Sequence, residues 1–70
     1  MTATIDVVIN GEPRQVANDL SVTGLLQILG IVTGRVAIER NLAILPKADW
    51  DQTRVAAGDR YEIVHLVGGG

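Results

Sequence analysis

One stretch of this 70-residue chain carries apolar residues at helical spacing. Val22, Leu25, Leu26 and Leu29 recur at i, i+3, i+4 and i+7, which makes a single apolar stripe along a helix. A lone amphipathic helix must bury its stripe against something, and the flanking sequence offers only strands. Ser21 is placed to cap the helix, its hydroxyl accepting from a free backbone N–H of the first turn. Leu20 and Leu25 stand at the two positions of a hydrophobic staple around that cap. Gly30 is a natural stop at the other end. Gly24 inside the helix costs about 1 kcal/mol relative to alanine. It reads equally as a close approach to the sheet or as a tolerated surface glycine.

The strand signals lie on both sides. Thr4 to Ile9 is rich in β-branched residues. Asn10-Gly11 follows, and a type I′ turn needs positive φ at both positions. Pro13 suits the start of a returning strand, Arg14 to Ala17. After the helix, Arg35 to Arg40 alternates, with Val36 and Ile38 inward. Asn41 marks a turn, and Ile44-Leu45 is a short strand ended by Pro46. Lys47 to Thr53 reads as a turn or short helix around Trp50. Ala57-Gly58-Asp59 reads as a loop, and Tyr61 to Val67 as the longest β pattern. Hairpin, helix and two or three further strands give two layers around one core. The expected class is α+β, a β-grasp. It has a mixed sheet of four to five strands, one main helix on one face, and the last strand paired centrally beside the first.

Composition narrows the chemistry. Domains of this size bury only about 60% of the surface their unfolded chains expose, too little for a deep enclosed catalytic cleft. There are no cysteines, which removes disulfides, thiolate metal sites and a cysteine nucleophile together. The net charge is −2 and the six basic residues are scattered, so nucleic acid is not an expected partner. No apolar run approaches the ~18 residues of a membrane helix. No signal peptide is visible at the N-terminus, and the cytoplasm is the default compartment. His65 is the only histidine and has no companion at metal-ligand spacing. Asp49 and Asp51 flank Trp50 in a turn segment, where aspartate commonly bonds backbone N–H groups. Asp59 reads as turn chemistry too, and Trp50 as a cover for one end of the core. No catalytic pair and no metal site emerges.

What remains is the chain end, Gly68-Gly69-Gly70. Glycine has no Cβ, so such a tail has a thin cross-section and wide backbone freedom. It is suited to entering a narrow channel and presenting a carboxylate to another protein's active site. The expected division is a β-grasp domain over residues 1–67 and a flexible tail over 68–70. If Tyr61 and Ile63 pack under the helix, Val64 and Leu66 fall on the opposite sheet face, where exposed apolar residues mark a partner-docking patch.

With these blocks in place, the chain resembles the bacterial sulfur carrier proteins of thiamine (thiazole) biosynthesis, the ThiS type of ubiquitin-like β-grasp protein. The resemblance rests on Ile9-Asn10-Gly11-Glu12, then Val36 to Asn41, Ile44-Leu45-Pro46-Lys47 and Trp50, then Gly58 to Val64 and the closing Val67-Gly68-Gly69-Gly70. Lys47 stands where an arginine is common. The resemblance implies a carrier, not an enzyme, with no cofactor of its own. A ubiquitin-activating-like enzyme uses ATP to adenylate the Gly70 carboxylate. Sulfur from a source such as a cysteine desulfurase converts it to a thiocarboxylate, and thiazole synthase takes the sulfur. Gly68 and Gly69 give access, and Val64 and Leu66 are the docking residues. Three other readings stay open: the small subunit of molybdopterin synthase, a ubiquitin-like protein modifier, and an interaction domain with an idle tail.

Overall fold

The computed structural model describes residues 3–31 and 33–66. The elements run β1 (Thr4–Ile9), β2 (Glu12–Ala17), α1 (Val22–Ile28), β3 (Val36–Arg40), β4 (Ala43–Ile44) and β5 (Arg60–His65). Short 3₁₀ turns lie at Thr33–Arg35 and Lys47–Asp49. The five strands form one sheet in the order β2-β1-β5-β3-β4. β1 and β5 are parallel and the other neighbours antiparallel. This is the expected β-grasp arrangement.

Each boundary has a local cause. Asn10 and Gly11 take φ of 50° and 81°, the left-handed pair of a I′ turn, and β2 returns in register from Ile9↔Glu12 to Thr4↔Ala17. Pro13 sits on β2, an edge strand, where a missing N–H is harmless. At the start of α1 the Gly24 N–H donates to Ser21 Oγ at 3.1 Å. The helix ends in a Schellman motif. Gly30 turns to φ 72°, its N–H donates to the Gln27 carbonyl, and the Ile31 N–H donates to the Leu26 carbonyl. Gly24 fits neither expectation. A Cβ there would meet Leu20 Cδ2 at 3.3 Å, so the glycine leaves room for the staple residue Leu20, not for the sheet.

Val22, Leu25 and Leu26 are fully buried. They pack with Val7, Ile9, Val16, Val36, Ile38, Trp50, Val55, Tyr61 and Ile63 into one core, while Leu29 and Leu20 are only partly covered. Trp50 closes one end, its indole N–H donating to the Leu45 carbonyl at 3.1 Å. The core thus lies between α1 and one face of the sheet, and the other face is open. β4 is one residue out of phase with the expected Ile44-Leu45: the Leu45 N–H still donates to the Ile38 carbonyl in register, but the Leu45 carbonyl accepts from the Trp50 indole rather than from β3, and Pro46 follows. β5 spans six residues, no longer than β1 or β2.

Candidate functional site

β5 is the last strand before the chain end, and it lies between β1 and β3. Its parallel ladder with β1 is short: the Val8 N–H donates to the Asp59 carbonyl and the Asn10 N–H to the Tyr61 carbonyl. Beyond that point β1 has turned away. The Asn10 side chain then takes over the missing main-chain role, as Oδ1 accepts from the Ile63 N–H at 2.7 Å and Nδ2 donates to the Ile63 carbonyl at 3.3 Å. On the other side, pairing with β3 extends to the Leu66 N–H, which donates to the Arg35 carbonyl. Gly68, Gly69 and Gly70 lie outside the described residues, as does the end of the domain at Val67.

Val64 and Leu66 are each 54% exposed and share the open face, two residues and about 7 Å apart along the strand. Tyr61 and Ile63 point the other way into the core. Two apolar residues that the sequence reading did not single out join the same face. Ile44, 67% exposed, stands opposite Glu39, and Leu42, 93% exposed, forms the tip of the β3–β4 turn. The turn pair is Asn41-Leu42, both at positive φ. The available signal was Asn41 in the first position of a turn whose second position lacks the usual glycine.

The start of β5 is held by a buried carboxylate. Asp59, 5% exposed, accepts from Arg40 Nε at 3.0 Å, Asn41 Nδ2 at 3.2 Å, the Ala56 N–H at 2.8 Å and the Tyr61 hydroxyl at 2.8 Å. Burial pushes its pKa up. The Ala56 N–H, the Tyr61 hydroxyl, Asn41 and Arg40 together outweigh that and hold it below the ordinary 3.8. Burial, and then the Asp59 carboxylate, push the Tyr61 hydroxyl up to about 12. Asp59 was expected to do turn chemistry. It does so through the Ala56 N–H, but it also ties the β3–β4 turn to β5.

The remaining candidates do not assemble into a site. His65 is exposed and lies at the end of β5, paired with Val36 of β3 and beyond the reach of the β1 ladder, which ends at Tyr61. Asp51 accepts from the Thr23 hydroxyl rather than from a backbone N–H. Among the described residues no group of three potential metal ligands occurs, and no helix is long and apolar enough to cross a membrane.

Comparison with known proteins accords with this geometry. The crystal structure of a thiamine biosynthesis protein (ThiS) from Geobacter metallireducens superposes with a TM-score of 0.82 at 35% identity, over 94% of this chain and 100% of that one. A thiazole synthase of Paramagnetospirillum magneticum is 47% identical over 64 residues, 91% of this chain but 20% of its own length. The chain spans about a fifth of the length of the thiazole synthases it matches. An uncharacterized protein, ycf40, of Porphyra purpurea is 39% identical over 94% of this chain and 93% of its own length. The ThiS family model matches residues 7–70, and the chain belongs to the ThiS family.

Proposed function

We propose that this chain is a sulfur carrier of thiamine biosynthesis whose working group is the carboxylate of Gly70. The observation that carries the reading is the family match over residues 7–70, which includes the glycine tail. The placement of β5 supports it, since its start is bonded to β1 and β3 and its end stays bonded to β3 as far as Leu66, which fixes the point from which the remaining residues leave the sheet.

A carboxylate resists nucleophilic attack, because its charge repels the nucleophile and oxide is a poor leaving group. Adenylation divides the difficulty into two steps. A carboxylate oxygen attacks the α-phosphorus of ATP and pyrophosphate departs. Hydrosulfide then attacks the acyl carbon and AMP departs, leaving a thiocarboxylate. Where a persulfide attacks instead, the product is an acyl disulfide, and a thiol cleaves its S–S bond to release the thiocarboxylate, the thiol ending in a disulfide. Partner enzymes hold the catalytic groups for both steps: a ubiquitin-activating-like enzyme, a sulfur source such as a desulfurase, and thiazole synthase as acceptor. ATP is used by the activating partner. Val64 and Leu66 dock the folded body, while Gly68 and Gly69 pass the narrow approach to Gly70.

Intact-mass spectrometry after incubation with ATP, an activating enzyme and a sulfur source tests the reading. The expected product is the chain with one oxygen replaced by sulfur. An unchanged mass under conditions where a known carrier is loaded overturns it. With the activating enzyme and ATP alone, Gly69→Ala or Gly70→Ala should slow ATP–pyrophosphate exchange by at least about tenfold (about 1.4 kcal/mol) in a folded protein. Normal exchange would remove the steric role of the glycines.

A further inference from the structure

The open sheet face has a second feature at the end away from the tail. A concavity of about 140 Å³ lies where β5 begins, lined among others by Val8, Glu39, Leu42, Arg60, Tyr61 and Glu62. Small-molecule sites run to about 300–1,000 Å³, so this one suits a single side chain better than a cofactor.

Two elements of its lining work against the free chain. Glu39 and Glu62 stand directly opposite each other across β3 and β5, and like charges in that relation repel. Neither is ion-paired, since the salt bridge among the described residues joins Arg40 to Asp59. Leu42 occupies the second position of a I′ turn at φ 73°, where glycine is unstrained and leucine is not. It also holds its apolar side chain 93% in solvent. The repulsion and the strained, exposed leucine border one hollow. Beside it run Ile44, opposite Glu39 on β4, and Val64, the next outward residue after Glu62 on β5.

We infer that this hollow receives an arginine or lysine side chain of the protein that activates the chain end; the inference rests on the carrier reading above. The cation lies between the Glu39 and Glu62 carboxylates and its methylene stem lies on Leu42 and Val8. Among the described residues Arg60 is the one basic residue lining the hollow, so two carboxylates outweigh one guanidinium there. Binding a cation relieves the repulsion that the free chain carries, which favours a basic partner over a neutral one. Glu62 and Leu66 are four residues, about 13 Å, apart on β5. A partner that grips the hollow at one end and the apolar pair at the other fixes the rotation of the sheet, and so the direction in which the tail points.

The test is steady-state adenylation by the activating enzyme of the same organism, with carrier concentration and salt varied. The carriers are the parent, Glu39→Gln with Glu62→Gln, and Leu42→Gly. The double variant should show a KM for carrier raised about tenfold, an unchanged kcat, and loss of the parent's salt dependence. Leu42→Gly should also raise KM. Both variants should unfold at a higher temperature than the parent, because each removes a local liability. Weaker docking by a more stable protein is a combination that a structural role would not produce. A double variant with parental KM and salt dependence overturns the inference and leaves the carrier reading standing. A parent that is not adenylated at all removes both.

Discussion

The four donors around Asp59 make it the residue with most to lose by substitution. In Asp59→Asn one acceptor oxygen becomes an NH₂ facing the Arg40 and Tyr61 donors. Removing one partner of such a buried network costs about 2–4 kcal/mol, read by denaturant unfolding at neutral pH. The same network sets a pH dependence. The folded-state pKa of Asp59 lies below its ordinary value of 3.8, so between the two values the unfolded chain binds more protons. The carboxylate's contribution is therefore present above about pH 4 and is lost as the pH falls through the folded value. The stability gap between parent and Asp59→Asn should narrow in acid. A gap that stays constant from pH 7 to pH 3 would mean that the charge contributes nothing. Tyr61 gives the opposite limit. Its hydroxyl is raised from 10.0 to about 12, so its share of stability is complete below pH 10 and disappears as the pH passes 12. Asn10 combines two roles that Asn10→Gly separates. Glycine keeps the left-handed turn, but the two hydrogen bonds to Ile63 vanish. A loss of about 1–3 kcal/mol is expected, with faster amide exchange at Ile63. Unchanged exchange there would leave Asn10 as a turn residue only.

At the level of elements, the first hairpin and the helix were legible because their signals are local. Asn10-Gly11 specifies a turn by backbone sterics alone, and Ser21, Gly30 and the stripe of Val22, Leu25, Leu26 and Leu29 specify a helix with both ends marked. Gly30→Ala tests that locality. A Cβ at Gly30 meets nothing within 4 Å, so its cost is purely conformational, about 1 kcal/mol from the positive φ. A shift much larger than this in urea unfolding would imply an unseen packing role. The second hairpin was only half legible. Asn41 announced a turn, but Leu42 in the place of glycine concealed its I′ type and shifted the expected position of β4. The polar clamp was not legible at all. Asp59 follows Gly58 and looks like any turn aspartate, and only the fold brings Arg40 and Asn41 to it across 19 and 18 positions. In the candidate site, Val64 and Leu66 followed from strand alternation. Ile44 and Leu42 depend on how β4 folds back on β3, which period-two reasoning within one strand does not reveal.

For the whole molecule, the proposed function assigns docking and chemistry to different parts of the chain, and the two can be separated by experiment. Among the described residues the core ends on β5 at Ile63 and the strand pairing at Leu66, and the proposed reacting group, Gly70, follows four residues later in the sequence. A domain similar to this chain makes up about a fifth of polypeptides named thiazole synthase, which points to tethering as the means of separation. A flexible linker of about 30 residues has a reach of roughly 30 Å and holds two joined modules at about millimolar effective concentration. In the tethered format the linker is joined at Met1, because a bond at Gly70 would turn the carboxylate into an amide. As a free chain, Val64→Asp, loaded with sulfur in advance, should donate to thiazole synthase about tenfold more slowly than the parent at equal micromolar concentration, a loss of about 1.4 kcal/mol in docking. Tethered, it should approach the parental single-turnover rate, since the linker replaces the lost affinity. Deletion of Gly69 and Gly70 should abolish transfer in both formats while leaving the melting temperature unchanged, because mass action cannot restore a missing acyl group. If tethering fails to rescue Val64→Asp, that residue acts after docking and the patch assignment falls. If the deleted chain transfers sulfur when tethered, the reacting group is not at the chain end, and the carrier mechanism falls with it.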